Sequence, residues 1–113
     1  MTIVRAGDWL SDIEAFRGEW QGQSTGSQLS LIADRLDQPG GGPRLHCHPY
    51  AEVFVVLAGT GLFTVEDRAI LAGKGEIVVV PAGVAHKFTN PGPAPFAKIS
   101  IHEAGSFSTE WLE

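Results

Sequence analysis

The chain is poor in cysteine, in basic residues and in long apolar stretches, and each shortage narrows what it can be. Cys47 is the only cysteine, so an internal disulfide is excluded. Asp and Glu outnumber Lys and Arg by 13 to 8, which leaves a formal net charge of −5 and no basic run for nucleic acid. The longest apolar stretch, Val53 to Ala58, is far too short to span a membrane. We therefore expect a protein that binds neither nucleic acids nor membranes.

The start of the chain also lacks the apolar segment of a signal peptide. Residues 1–10, MTIVRAGDWL, contain no apolar core of the length that a signal peptide needs. Proteins with a lone cysteine that cannot pair internally suit a reducing compartment. These two observations predict a cytoplasmic location.

Glycine and proline are plentiful, with 14 and 7 residues in a chain of 113. They fall between short apolar runs rather than inside them, which is typical of many short strands joined by tight turns. No stretch is long and periodic enough for the crossover helix of a parallel sheet. The pattern predicts one all-β domain over residues 1–113, a sandwich or barrel of about nine strands. We expect short irregular termini, with helical turns near Ala15 and Trp111.

Three of the four histidines lie in two stretches that have the character of β-strands. Side chains two residues apart on a strand point the same way, so His46 and His48 share one face. Glu52 has the same parity and joins them if the register is kept past Pro49. His86 lies on a separate strand and completes the set if that strand runs beside the first.

Three neutral imidazoles and one carboxylate suit one divalent transition metal, which is iron, manganese, nickel, zinc, cobalt or copper. Calcium and magnesium prefer a shell made of oxygen ligands. Four protein ligands leave open positions on a six-coordinate ion, and a catalytic metal needs such positions. The H-x-H spacing alone also fits histidines that only form surface hydrogen bonds, so the residues around the histidines decide the matter.

Those surrounding residues resemble the two motifs of the cupin superfamily at every fixed position. The first motif, over residues 40–59, is matched by Gly40, five residues, His46-Cys47-His48, three residues, Glu52, six residues and Gly59. The second, over residues 75–90, is matched by Gly75, five residues, Pro81-Ala82-Gly83, two residues, His86, three residues and Asn90. The chain thus resembles a small single-domain bacterial cupin.

The resemblance implies an antiparallel, jelly-roll-like β-barrel that holds a metal inside one end. It also implies that the metal ligands are His46, His48, Glu52 and His86. The motif glycines would form turns that a Cβ atom would hinder. Asn90 would adopt a left-handed turn before Pro91.

Other residues in or near the motifs have expected roles apart from metal binding. Cys47 has the opposite parity to the histidines, so we interpret it as a small buried apolar residue rather than a ligand. For Tyr50 we favour an aromatic at the rim with a solvated hydroxyl, and a hydrogen bond to substrate is the alternative. His102 has the parity of Lys98 and Ser100, which predicts an outward, solvated histidine. Four aromatic residues are expected in the core or the pocket wall: Phe54, Phe63, Phe88 and Phe96.

The family resemblance leaves the reaction open, because one fold hosts unrelated chemistries. The first hypothesis is a metalloenzyme of dioxygenase, isomerase or lyase type that acts on a small organic substrate, with Glu52 and Tyr50 as catalytic candidates. The second is a module that binds a small molecule without turnover. The third is a barrel in which the metal only stabilises the fold. A homodimer is expected, because Val53–Leu57 and Ile77–Val80 are apolar on both faces and Leu29–Ala33 could extend a neighbour's sheet.

Overall fold

The computed structural model describes residues 1–113 and consists mainly of short β-strands. The α-helix α1 spans Ala6–Trp9, and a 3-10 helix spans Gly22–Thr25. The strands are β1 (Leu10–Asp12), β2 (Arg17–Gln21), β3 (Ser30–Leu36), β4 (His46–Cys47), β5 (Glu52–Ala58), β6 (Thr60–Val65), β7 (Arg68–Gly73), β8 (Ile77–Val80), β9 (His86–Thr89), β10 (Phe96–His102) and β11 (Glu110–Trp111). None of the helices has the length and apolar character needed to cross a membrane.

The strands form two sheets in which every neighbouring pair is antiparallel. The larger sheet has the order β1-β2-β3-β10-β5-β8, and the smaller has the order β11-β4-β9-β6-β7. Strands that are adjacent in the chain often lie in different sheets, as β4 and β5 do, so the chain crosses between the two layers. This arrangement confirms the predicted all-β, jelly-roll-like barrel.

Both edges of β3 are hydrogen-bonded to neighbouring strands of its sheet. It pairs with β2 on one side and with β10 on the other. The expectation that Leu29–Ala33 extends a neighbour's sheet is therefore wrong, because an inner strand has no free edge to offer.

Aromatic residues fill the space between the sheets. Phe54, Phe63 and Phe96 are each 1% exposed, and Phe88 is buried beside them. The rings of Phe54 and Phe63 meet edge to face at 5.1 Å between centroids, a favoured aromatic geometry. Val56, Ala72 and Val80 complete the same buried cluster. The prediction that these phenylalanines form the core is confirmed.

Strand β10 turns its polar side chains inward, against expectation. Phe96, Lys98, Ser100 and His102 are all buried, whereas the residues between them are only partly buried. The register with β5 places His102 opposite Glu52, so both side chains point into the barrel. The prediction that His102 is an outward, solvated histidine is therefore wrong.

The polar residues of β10 point inward because the outer face of the larger sheet is partly apolar. In the register of β3 with β10, Ile99 and Ile101 share this face with Ala33 and Leu31. A small apolar cavity there is lined by four residues of the N-terminal half: Val4, Trp9, Trp20 and Leu31. Because the N-terminal segment gives this face an apolar cover, isoleucines on β10 need not point into the barrel.

The chain termini are more ordered than expected. Residues 13–16 form a hydrogen-bonded turn that ends at Phe16, where φ is +54°, instead of a helix. Trp111 lies on β11, which pairs with β4 and places Trp111 opposite His46. Both expected helical turns are wrong, since residues 13–16 form the turn that joins the paired strands β1 and β2, and Trp111 pairs with β4.

Two residues of the motif stretches fix turns around the site. Gly42 has φ +93°, and a Cβ atom there would collide with the carbonyl oxygen of Phe88. Asn90 lacks the predicted left-handed conformation, because the non-glycine residues with positive φ are Phe16 and Glu66. Its buried amide instead donates to the carbonyls of Leu36 and Ala94 and accepts from the Gly92 N–H. Asn90 thus ties the turn over residues 90–94 to the end of β3.

Candidate metal centre

Short strands from both sheets position the four predicted ligands. His46 lies on β4 directly opposite His86, the first residue of β9. Glu52 is the first residue of β5 in the other sheet. His48 follows β4 in a loop, where its carbonyl accepts a 2.8 Å hydrogen bond from the N–H of Gly83. This bond links the first motif to the second.

The four side chains meet inside one end of the barrel. One ligand atom from each of His46, His48, Glu52 and His86 can be chosen so that all four lie within 4.8 Å of one another. Each residue is at most 6% exposed. A single ion can therefore contact all four groups while the protein shields it from bulk water. The donor set fits one divalent transition metal of unspecified identity.

Backbone carbonyls orient all three imidazoles in the same way. The Nδ1 atom of His46 lies 2.7 Å from the Arg44 carbonyl, and that of His86 lies 2.9 Å from the Val84 carbonyl. The Nδ1 atom of His48 lies 2.8 Å from the carbonyl of Ser108. A carbonyl only accepts, so each Nδ1 carries the proton and each Nε2 keeps a free lone pair. Metal-binding histidines are held in this way.

The Glu52 carboxylate faces those lone pairs. Its Oε1 lies 3.1 Å from Nε2 of His48 and 3.0 Å from Nε2 of His86. The buried Nε2 of His48 has no well-aligned hydrogen-bond partner. With the proton of each ring on Nδ1, these contacts would bring acceptor against acceptor, and a shared cation relieves that repulsion. The geometry therefore fits a bound metal.

Burial and the neighbouring groups shift the pKa values of three members of the cluster. Burial would raise the pKa of Glu52, but the nearby imidazoles of His102, His48 and His86 outweigh it and hold that pKa far below the usual range. Burial lowers the pKa of His46 in spite of the hydrogen bond to Arg44. Burial also opposes charge on His48, but Glu52 and the Ser108 carbonyl together raise its pKa. Glu52 is thus an anion at neutral pH.

A fourth imidazole, missed by the sequence analysis, contacts the second oxygen of the carboxylate. Nε2 of His102 lies 3.2 Å from Oε2 of Glu52, whereas His48 and His86 face Oε1. Nδ1 of His102 lies 2.7 Å from the Tyr50 hydroxyl, which itself accepts a hydrogen bond from the Ser108 N–H. The hydroxyl therefore donates to Nδ1, and the proton of His102 lies on Nε2, towards Glu52.

This arrangement corrects the interpretation of Tyr50. Its hydroxyl is engaged with His102 and Ser108 instead of being solvated at the rim. Burial raises the pKa of Tyr50, so it remains a hydrogen-bond donor at neutral pH. The residue was a catalytic candidate, and in the structure it reaches Glu52 through His102 and through the ring of His48, on which it stacks at 5.1 Å between centroids. The place of His102 opposite Glu52 follows from the register of β10 with β5, which spacing within the sequence does not reveal.

Cys47 is buried, as predicted, and stays outside the cluster. Its Sγ lies 3.6 Å from a carboxylate oxygen of Glu110. Burial, together with that carboxylate, raises the pKa of the thiol. Cys47 is therefore a thiol with little nucleophilic character at neutral pH.

A cavity of about 620 Å³ opens beside the cluster. His46, His48 and Glu52 form part of its wall, together with His102. The remaining wall combines apolar side chains, such as Phe88 and Trp111 among others, with polar ones from β3 and β10. Its volume suits a small organic molecule.

Comparison with protein families identifies the fold family. Residues 36–102 match the Cupin_2 model, whose description is a cupin domain. The match covers more than half of the chain, and the motifs, the two-sheet barrel and the buried cluster agree with it. The chain belongs to the cupin family.

Relatives among curated proteins have diverse activities. The chain is 35% identical over 74 residues to a mannose-1-phosphate guanylyltransferase of Klebsiella pneumoniae. The aligned region covers 65% of this chain and 16% of that protein. It is 43% identical over 49 residues to acireductone dioxygenase 2 of Arabidopsis thaliana, which covers 39% of this chain and 26% of the dioxygenase. The chain thus spans only a small part of these relatives.

Solved structures share the fold at low sequence identity. A Bacillus subtilis oxalate decarboxylase, studied for its Mn(II) centres, matches with a TM-score of 0.76 at 17% identity. The match covers 84% of this chain and 27% of the decarboxylase chain. A cupin protein from Bacteroides fragilis has a TM-score of 0.72 at 19% identity and covers 88% of this chain and 86% of its own. At these identities the likeness concerns the fold alone.

Proposed function

We propose that this chain is a metal-dependent enzyme that acts on a small organic substrate, of dioxygenase, isomerase or lyase type. His46, His48, Glu52 and His86 are the proposed ligands of its metal. The observation that carries the proposal is that three of these residues also form the wall of a 620 Å³ cavity. A molecule in that cavity would lie directly against the metal centre.

The bound metal would supply Lewis acidity and open coordination positions. The protein's own residues orient the metal ligands and exclude water. Backbone carbonyls hold His46 and His86 with Nε2 towards the centre. His102 holds the Glu52 carboxylate, and Tyr50 holds His102. Apolar side chains such as Phe88 line the cavity and exclude water from its wall. Glu52 is the proposed proton acceptor when it is not fully engaged as a ligand.

The test uses protein stripped of metal and reloaded separately with iron(II), manganese(II), nickel(II), cobalt(II) or zinc(II). Each form is incubated with a metabolite extract, and mass spectrometry detects depleted substrates and new products, while an oxygen electrode follows the iron form. His86→Gln serves as the metal-deficient control. Conversion by the native chain and not by the control supports the proposal. Binding without conversion contradicts it and favours the second candidate.

The second candidate is a small-molecule-binding module without turnover. It is favoured by the similarity to mannose-1-phosphate guanylyltransferase, in which the similar region is 16% of the protein. In that case the barrel would work alongside another catalytic unit. Thermal-shift screening with metabolites would then reveal ligands that the metal-loaded protein binds and leaves unchanged.

We also propose that the chain is a homodimer in the cytoplasm. Ile77 and Val79 on β8 are 61% and 60% exposed, and Leu71 on β7 is 63% exposed. Both strands lie at sheet edges, so apolar surface and free backbone groups coincide there. Light scattering should give twice the chain mass of 12.1 kDa, and Val79→Asp should shift the protein to the monomer. A monomeric native chain contradicts the dimer, and recovery outside the cytoplasmic fraction contradicts the location.

A further inference from the structure

Strand β10 places a lysine inside the barrel, in the wall of the cavity that adjoins the metal centre. Lys98 is 2% exposed, and its side chain points to the same face as Ser100 and His102. Lysine is among the residues least often buried completely, because the ammonium group is strongly hydrated. The ammonium group of a lysine buried in a cavity wall therefore needs hydrogen-bond acceptors or an anion beside it.

The protein supplies only part of that partner. Nζ of Lys98 donates to Oγ of Ser100 at 2.8 Å. The nearest carboxylate oxygen, Oδ2 of Asp34, lies 3.8 Å away, which is beyond hydrogen-bond distance. The other neighbours are the rings of Phe88 and Phe54, at 4.4 and 5.5 Å from Nζ to the centroids. An ammonium group has three N–H donors, so most of its hydrogen-bonding capacity is left for a guest.

Asp34 takes up only part of that capacity, as a long ion pair. Its Oδ1 accepts a 2.9 Å hydrogen bond from the backbone N–H of Arg35, and its side chain is about a third exposed. Burial lowers the pKa of Lys98, and the charges of Asp34 and Glu52 only partly offset that effect. An anion that enters the cavity would favour the charged ammonium form through a short contact.

We propose that the cavity binds a small organic anion whose distal carboxylate pairs with Lys98 and Ser100 while its other end meets the metal centre. The inference rests on the proposed function, since it assigns the substrate class of the same cavity. Nζ of Lys98 reaches Oγ of Ser100, and Ser100 lies two residues from His102 on the same face of β10, a Cα spacing of about 7 Å. The cavity thus suits a short ligand with one functional group at each end. Lys98 is the specificity-determining residue.

The test uses cobalt-loaded protein and ligands that share a metal-chelating hydroxamate. Acetohydroxamate is compared with a series of ω-carboxy alkyl hydroxamates of increasing length and with their neutral amide counterparts. Dissociation constants come from the change in the visible spectrum of cobalt and from calorimetry. We expect one length of carboxylate to bind about 10-fold or more tightly than its amide. Lys98→Met should abolish that difference.

A surface control tests whether any lysine near the site would serve. Lys87→Met removes a lysine of β9 that lies outside the cavity, and it should keep the preference for the carboxylate. A loss of the preference in Lys87→Met would show that the carboxylate is not bound by Lys98 and would overturn the proposal.

The native chain alone also decides the matter if Lys98→Met fails to fold. Equal affinity for every carboxylate and its amide, with acetohydroxamate bound, refutes the role of Lys98 and leaves the proposed function intact. No binding of acetohydroxamate by the cobalt-loaded protein refutes instead the proposed contact of ligand and metal. The two failures are therefore distinguishable.

Discussion

His102 and Glu52 face each other across β10 and β5, with Nε2 of the histidine 3.2 Å from Oε2 of the carboxylate. Tyr50 holds the far side of the same imidazole through its hydroxyl. The oxygen of Glu52 that faces His48 and His86 is the other one. The carboxylate is thus positioned from one side by a hydrogen-bonded pair and presents its other side to the metal ligands.

Removing that support should weaken metal binding without abolishing it. His102→Phe should lower the affinity for zinc about 10- to 100-fold, the range typical for groups that orient metal ligands. Tyr50→Phe should have a smaller effect of the same sign, because His102 remains and only its orientation is loosened. Competition with a chromophoric chelator measures both constants.

The pair also allows a double-mutant cycle. If Tyr50 acts through His102, the double variant should bind zinc about as weakly as His102→Phe alone. Fully additive effects would contradict this relationship. Circular dichroism and melting temperature provide the check that each variant keeps the native fold.

Removing a ligand should have a much larger effect. His86→Gln takes away an imidazole that faces Oε1 of Glu52 at 3.0 Å, and we expect metal content to fall from one ion per chain to a trace. Elemental analysis after dialysis measures it. Lys87→Gln, at the next position, is exposed and is the matched control. Full occupancy in His86→Gln would contradict the ligand assignment.

The predicted part of the site is the part that local spacing determines. His46 and His48 share a face because strand side chains alternate, and Glu52 follows the same parity. These three residues and His86 meet in the structure because the motif glycines, such as Gly59 and Gly83, allow turns with positive φ. The barrel follows from the same turns.

The unpredicted part depends on what covers the outside of the sheet. On β10, the assumption that isoleucine points inward assigns His102 and Lys98 to solvent. In the structure, Ile99 and Ile101 face the side that the N-terminal segment partly covers, so the polar residues take the interior. No local pattern reveals a cover made by residues far away in the chain.

Metal affinity should fall as the pH is lowered, since protons compete for the same lone pairs. The pKa of His48 is raised above its ordinary value, so this imidazole protonates first, whereas the lowered pKa of His46 keeps it neutral to lower pH. We expect affinity to decline about 10-fold per pH unit, beginning above the ordinary histidine pKa of about 6.5. Competition titrations at a series of pH values measure the slope. A flat profile through that range would contradict binding by these imidazoles.

A methyl group at Gly42 should destabilise the barrel. The residue has φ +93°, and a Cβ atom there would strike the carbonyl oxygen of Phe88. Gly42→Ala should cost about 1 to 3 kcal/mol of unfolding free energy from backbone strain alone. Gly7→Ala is the matched control, because it lies in α1 with open space around it and should be neutral or slightly stabilising. Urea denaturation compares the two, and equal stability would disprove the close approach.

Stripping the metal should lower the melting temperature of the native chain. The ion binds only where His46, His48, Glu52 and His86 come together, so it stabilises the folded state and not the unfolded one. With free metal at about 100 times its dissociation constant, the stabilisation is about 2.7 kcal/mol, which corresponds to a shift of roughly 10 °C for a domain of this size. Calorimetry before and after chelation measures the shift, and His86→Gln should show almost none. An unchanged melting temperature in the native chain would mean that these four residues do not hold an ion in the folded protein.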